Sequence, residues 1–184
     1  MSKQSDNEIQ NLRKENKILK QIIDSLDATV YWKDLEGKFL GMNKKGLSLL
    51  GFNLTNEDII GKTDSGFESS KKYKENIYKN DLHVINTKKT VVFEEDYVAT
   101  GGTEKATYLS TKSCLTNENG EVIGLAGVSV DITEQKKLQN ELEEKTKELE
   151  ETNMDLEEKN RILQEKEDKR IPLAEQMLAI IRQL

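Results

Sequence analysis

The sequence predicts an α+β domain: one five-stranded antiparallel sheet with helices on one face, flanked by N- and C-terminal coiled-coil helices. Three observations predict it. All ten aromatic residues fall between Tyr31 and Tyr108, and all eleven glycines between Gly37 and Gly127, so core-forming rings and turn residues share one window. Within that window strand and helix signals run in the order β-β-α-α-α-β-β-β, which closes as a single antiparallel sheet. Outside it the chain is charged, and its apolar residues recur at spacings of three and four. The 184 residues divide accordingly into an N-terminal coiled-coil helix at 1–27, a globular domain at 28–134, a coiled-coil helix at 135–170 and the start of a further helix at 171–184.

Composition narrows the function. Hydrophobic residues make up 35% and charged residues 34% of the chain, more charge than a wholly compact domain carries. The net charge of -6 argues against a dedicated nucleic-acid binder. One cysteine and one histidine exclude a disulfide framework, a Cys-rich zinc site and a His-pair metal motif, so no metal is expected. The longest uncharged apolar run, Val122 to Val130, falls far short of the ~20 residues that span a bilayer. The first 26 residues are charged throughout, unlike a signal peptide. The expectation is a soluble cytoplasmic protein without a membrane span.

The elements follow in order. Ile9, Leu12, Asn16, Leu19, Ile23 and Leu26 form a heptad seam. With Ile9 at a, Asn16 also falls at a, where a buried asparagine favours a parallel dimer because only paired asparagines satisfy each other. Glu8 and Glu15 at g then face Arg13 and Lys20 at e of the partner. The plainer alternative is an amphipathic helix packed on its own domain, since three heptads are marginal alone.

Ala28–Lys33 and Lys38–Met42 read as strands of a hairpin across Leu35-Glu36-Gly37. Lys44–Leu50 is a short helix stopped by Gly51. Asn56–Ile60 is another, capped by Thr55 or Asn56 and stopped by Gly61. Lys71–Asn86 is a longer helix with Ile77, Leu82, Val84 and Ile85 as its apolar positions. Strands Thr90–Ala99 and Thr103–Ser113 join across Gly101-Gly102, and Glu121–Val130 follows the turn Asn117-Glu118-Asn119-Gly120. Beyond them, residues 137–170 hold 12 acidic and 8 basic residues. Leu142, Leu149, Leu156 and Leu163 repeat every seven positions and leave Gln139, Thr146, Asn153 and Asn160 at a. Every second layer is polar, so such a coil shifts register at low cost. A lone charged helix is the alternative.

The order and its punctuation resemble the PAS domain family over 28–134. The matching stretches are Tyr31–Phe39, Met42-Asn43-Lys44, Leu50-Gly51-Phe52, Glu57–Thr63, Glu94-Glu95, and Gly124–Glu134 with its Asp131-Ile132-Thr133-Glu134 exit. The resemblance implies that the last strand leads into a signalling helix and that Asp131 and Thr133 tie the helix root to the sheet. Locally, Asp131 and Thr133 are also the residue types that cap a helix start, and Glu134 suits its first turn. A plain cap is the alternative.

What such a domain would sense is constrained by residue type. Haem-binding PAS domains use a histidine, often on the long helix; His83 lies on that helix but near its end, so haem is not expected. Flavin photosensors need a helix-side cysteine; Cys114 instead closes a strand, so flavin is not expected either. Trp32, Phe39, Met42, Asn43, Tyr108 and Leu125 could line a pocket for an unknown small ligand, or be plain core. Glu94, Glu95 and Asp96 alternate across a strand and cannot converge on a cation without Glu104, so they read as a solvated sheet face. Gly124-x-x-Gly127 lacks the setting of a dinucleotide fingerprint. No catalytic set of side chains can be assembled.

Glu167-Asp168-Lys169-Arg170-Ile171-Pro172-Leu173 resembles the phosphoacceptor box of sensor histidine kinases, His-Asp/Glu-x-Arg-x-Pro-Leu. Asp168, Arg170, Pro172 and Leu173 match, and Glu167 stands at the phosphoacceptor position, so no phosphohistidine forms there. In that family the proline kinks the first dimerisation helix. The alternative is a coiled coil with a proline kink. The whole reads as a homodimeric sensory module that relays a signal through its C-terminal coil to an output domain or response regulator. The parent protein would be a two-component histidine kinase. The alternatives are a cyclic-nucleotide synthesising enzyme or a standalone dimerisation scaffold.

Overall fold

A computed structural model describes residues 3–67, 73–98 and 105–182. The chain divides into two units, Met1–Glu134 and Gln135–Leu184. The first contains helix α1 (Lys3–Ser25), strands β1 (Thr29–Lys33) and β2 (Phe39–Met42), helices α2 (Lys44–Leu50) and α3 (Asn56–Ile59), and a 3-10 turn (Asp64–Gly66). Helix α4 (Lys74–Thr87) and strands β3 (Val91–Tyr97), β4 (Ala106–Thr116) and β5 (Val122–Asp131) complete it. Helix α5 (Thr133–Ile181) is rooted at its end and runs 49 residues, across the expected boundary at 170/171 as one helix that includes Pro172. The expected Gly101-Gly102 turn, Glu104, and Lys71 and Lys72 lie outside the described residues.

The five strands form one antiparallel sheet in the order β2-β1-β5-β4-β3. The last strand therefore lies at the centre, between the first strand and the late hairpin. The turns are the ones the side chains demand. Asp34 Oδ1 accepts the Lys38 N–H at 2.8 Å, and Gly37 takes a φ of 76° that only glycine adopts freely. Asn117 Oδ1 accepts the N–H groups of Asn119 and Glu121, each at 3.0 Å. Asp58 closes the first turn of α3 by accepting both the N–H and the hydroxyl of Thr55, each at 2.8 Å.

The core forms where the inward faces of the sheet meet α2, α3 and α4. Tyr31, Phe39, Met42, Leu50, Ile59, Phe67, Val84 and Leu125 make one buried cluster. The buried residues of α4 are Ile77, Asp81 and Val84. The expected apolar position Leu82 is only partly buried, because the i, i+4, i+7 face that meets the sheet runs through 77, 81 and 84. Strand β4 runs to Thr116, so Cys114 lies inside a strand, where its thiol donates to the Val84 carbonyl at 3.4 Å.

Candidate functional site

Strand alternation decides what faces the interior. Along β1, Thr29, Tyr31 and Lys33 point inward and are buried, while Val30 and Trp32 point to the opposite face. The pairing Thr29–Ser129–Ser110 runs a row of hydroxyl residues across β1, β5 and β4. Ser110 and Ser129 hydrogen-bond each other at 2.8 Å. Gly127 stands opposite Tyr31; a Cβ there would overlap the Tyr31 ring, so the glycine lets the phenol lie across the sheet.

Between this surface and the helices is a cavity of about 80 Å³. Its apolar walls include Tyr31, Phe39, Met42, Leu50, Ile77 and Tyr108. Its polar lining comes from the hydroxyl row and from Lys33, Asp64, Glu95 and Asp96. Phe39 meets Tyr31 and Phe67 edge to face, with centroids 6.3 and 6.1 Å apart.

Beside the cavity lies a buried ion network. Lys33 Nζ is 2.6 Å from Asp64 and 2.8 Å from Asp81. Lys112 Nζ is 2.7 Å from both Asp81 and Glu95. Glu95 Oε1 also accepts from Asn80 Nδ2 at 2.8 Å. Asp81 thus bridges two lysines that are 1% and 0% exposed. Burial is the largest single influence on each lysine and works to deprotonate it. Asp64 and Asp81 outweigh it at Lys33, Asp81 and Glu95 outweigh it at Lys112, and both lysines are held above their ordinary range. The Lys33 ammonium also sits 5.2 and 4.9 Å from the Tyr31 and Phe39 ring centroids. Burial keeps both lining phenols protonated: Tyr31 is raised well above its usual value, and Tyr108 is pushed up to about 12.

The sequence expectations sort cleanly. Phe39, Met42 and Tyr108 line the cavity. Trp32 does not: alternation sends it to the far face, over Gly41, and Tyr31 takes the inward place. Asn43 is fully buried as a tether and lies outside the lining. Leu125 is core. Glu95 is no part of a solvated face, because it turns inward to Lys112. Sequence reasoning missed Lys33, Asp81 and Lys112. The signal was there: a lysine at an inward strand position between buried neighbours must find a carboxylate, and Asp81 occupies the buried face of α4. His83 is exposed on α4 and meets Phe93 edge-on.

Two sets of bonds connect the cavity walls to helices. Asn43, next to Met42, donates from Nδ2 to the carbonyls of Ile23 and Ala28, each at 2.8 Å, and accepts from the N–H groups of Val30 and Gly46, each at 3.0 Å. Asp24 accepts the Lys44 N–H at 2.9 Å. These bonds pin the end of α1. At the other exit, Asp131 Oδ1 accepts both the N–H and the hydroxyl of Thr133, at 2.9 and 2.5 Å. The Thr133 hydroxyl accepts the Thr107 N–H at 2.9 Å, and Ile132 N–H donates to the Thr107 carbonyl at 2.9 Å. Glu134 is exposed in the first turn of α5.

The heptad residues of α1 are largely exposed: Ile9, Leu12, Leu19 and Leu26 are surface residues, and Ile23 is half-buried. Asn16 is exposed as well. Leu142, Leu149, Leu156 and Leu163 are exposed on α5, as are Glu167, Asp168 and Arg170. Among the described residues no helix is long and apolar enough to cross a membrane, and no group of three metal-ligating side chains gathers.

A central-strand crossover, an interior cavity under the sheet and a helix leaving from the last strand define a single-sheet α+β domain of the sensory type. Residues 23–137 match the family described as the PAS fold, which is more than half of the chain, and the protein belongs to that family. It is similar to a diguanylate cyclase of Vibrio cholerae, 32% identical over 122 residues that make up 66% of this chain and 37% of that protein. The chain thus spans little more than a third of that relative. Among solved structures it is similar to VqmA bound to DPO, with a TM-score of 0.56 and 25% identity over 61% of this chain and 57% of that one. A Vibrio cholera VqmA-ligand-DNA complex gives a TM-score of 0.57 and 25% identity over 62% of this chain and 51% of that one. The PAS domain of a Colwellia psychrerythraea protein shares the fold, with a TM-score of 0.51 and 22% identity over 64% of this chain and 98% of that one.

Proposed function

We propose that the chain is a cytoplasmic, homodimeric sensory module. A small molecule in the cavity shifts hydrogen bonds at Thr107, and the shift leaves the domain through the root of α5 to an output domain. One observation carries the reading. Asp96 lines the cavity and accepts the Thr107 hydroxyl at 3.1 Å, and the Thr107 N–H holds the Thr133 hydroxyl. A change at the cavity wall therefore reaches the helix root through two consecutive bonds. The response is a two-state shift in helix register or tilt.

The similarity to a diguanylate cyclase favours a cyclic-nucleotide synthesising output. The second reading, a histidine kinase parent, rests on Asp168, Arg170, Pro172 and Leu173, with Glu167 in the phosphoacceptor place. Nucleic-acid contact is no part of either reading, because a net charge of -6 opposes phosphate. Native mass spectrometry of freshly purified protein tests the sensory reading. The expected result is a dimer with a bound small molecule, and exchange at residues 132–145 that slows when the molecule is present. A bare dimer whose helix root ignores every added small molecule would reduce the protein to a dimerisation scaffold.

A further inference from the structure

We infer that the cavity takes a neutral molecule of about three non-hydrogen atoms, with alkyl carbons at one end and an oxygen at the other that accepts hydrogen bonds from the hydroxyl row. This rests on the sensory reading above and names the chemical class of its ligand.

The row has protons to spare. Thr29, Ser129 and Ser110 stand side by side on β1, β5 and β4, and all line the cavity. Thr29 is 8% exposed, and its Oγ1 is buried with no hydrogen-bond partner. Ser110 and Ser129 share a bond at 2.8 Å, in which only one of the two hydroxyls donates. The proton of the other, and that of Thr29, are left without an acceptor. A buried donor in that condition is costly, and an occupant that brings an acceptor oxygen removes the cost. An ammonium brings none.

Charge keeps ions out. The ionised side chains of the lining are Lys33, Asp64, Glu95 and Asp96. Lys33 pairs with Asp64 and Asp81, Glu95 pairs with Lys112, and Asp96 pairs with exposed Lys105. Each lining charge already has its counter-ion among the described residues, so a charged occupant would be buried without one of its own.

Volume sets the length. The cavity of about 80 Å³ is roughly half the size of an engineered cavity that holds benzene. In proportion to the ring atoms of benzene, about three non-hydrogen atoms fit. The carbons of such a molecule meet Phe39, Met42, Leu50 and Ile77. A water molecule takes about 30 Å³ in the liquid, so about two or three ordered waters are the competing content.

Amide NMR titration of the whole chain with ethanol, ethylammonium, formate and tert-butanol tests the inference. Ethanol should move the amides of Thr29, Ser110 and Ser129 saturably. Ethylammonium and formate match its size but carry charge, and should bind about tenfold or more weakly. The bulkier tert-butanol keeps the hydroxyl and should stay out. Thr29→Val keeps the fold, because it deletes only an unpaired hydroxyl. It should weaken ethanol severalfold and leave xenon, which needs no hydrogen bond, unchanged. If either ion binds as well as ethanol, the occupant is not neutral and the inference fails. If tert-butanol binds as well, the size is wrong. If Thr29→Val weakens ethanol and xenon alike, the hydroxyl row is not the anchor. If no probe saturates and a crystal structure grown with ethanol shows only ordered water on the row, the cavity is a hydration site and the inference is overturned. The sensory reading then survives only where native mass spectrometry finds another bound molecule. If ethanol binds as expected while exchange over residues 132–145 stays the same, the ligand class holds and the relay through Thr107 fails.

Discussion

Thr107 and Thr133 are locked together across the exit of the domain. The Thr107 backbone N–H donates to the Thr133 hydroxyl at 2.9 Å, and that hydroxyl donates to Asp131 Oδ1. The first residue of the long helix is therefore held by the start of strand β4 as well as by its own helical bonds. Asp131 is not the cap residue itself. It stands one position earlier and accepts the first helical N–H, an orphan donor of the helix start.

Asp131→Ala should free this root without unfolding the sheet. Capping losses cost ~1 kcal/mol, against ~5–15 kcal/mol for a whole domain. Hydrogen exchange should quicken over about 132–145, with amides near Val92 and Val128 still protected. Equal loosening of sheet and helix would make Asp131 a fold residue and end its role as a coupling element.

Asn43 does the corresponding work at the entrance. Asn43→Ala removes four bonds and strands two backbone N–H groups. A cost of about 2–4 kcal/mol follows, from roughly 1 kcal/mol per bond plus the unpaired donors. Chemical denaturation measures the cost, and exchange over 18–27 should rise more than exchange in β4. A loss below about 0.5 kcal/mol would mean that water replaces the side chain.

Asp81 holds two buried ammoniums. Asp81→Ala should destabilise the domain by about 3–5 kcal/mol, the cost of leaving buried charge uncompensated. Replacing all five members of the network, Lys33, Asp64, Asp81, Glu95 and Lys112, together by apolar residues of similar size should restore most of that stability, because no charge is then left without its partner. If the five-site variant is no better than the single one, the network contributes shape as much as charge.

Alkaline pH should weaken the fold. Lys33, Lys112, Tyr31 and Tyr108 all have folded-state pKa values above their ordinary ones. The folded state then binds more protons than the unfolded state once pH passes about 10. Stability is fully present below that point and falls as pH rises through the window, which for Tyr108 extends to about 12. The urea midpoint should hold level from neutral pH to about 9 and then drop, and Tyr108→Phe should flatten the drop. A midpoint that rises above pH 10 would contradict the buried placement of these groups.

The seam residues of α1 and α5 should pair in a parallel dimer. Leu12 and Leu19 are 53% and 60% exposed in the single chain, a cost that a partner helix relieves. Sedimentation at micromolar concentration should show a dimer. Leu149→Asp should weaken it, and Asn16→Leu should stabilise it while broadening the oligomer distribution. A clean monomer would rule out the seam.

The sequence by itself determined the element order, the five-stranded sheet and the turns at Gly37 and Asn117, because the signals for each are local. Gly37 supplies a positive φ, Asn117 folds its own turn, and Asp131 and Thr133 are the residue types that favour a helix start. Residue type also placed Phe39, Met42 and Tyr108 among pocket candidates, since aromatic and Met side chains fill interiors. Only the tertiary structure decided the rest. A strand has two equivalent faces until something packs on one of them, so nothing local chose Tyr31 over Trp32 for the cavity. Lys33, Asp81 and Lys112 lie 31 to 79 residues apart in sequence, and each alone reads as a surface charge. They become one network because β5 enters the centre of the sheet and α4 crosses it with Asp81 inward. Burial then makes every unpaired charge too costly to leave, and the ions have no choice but each other.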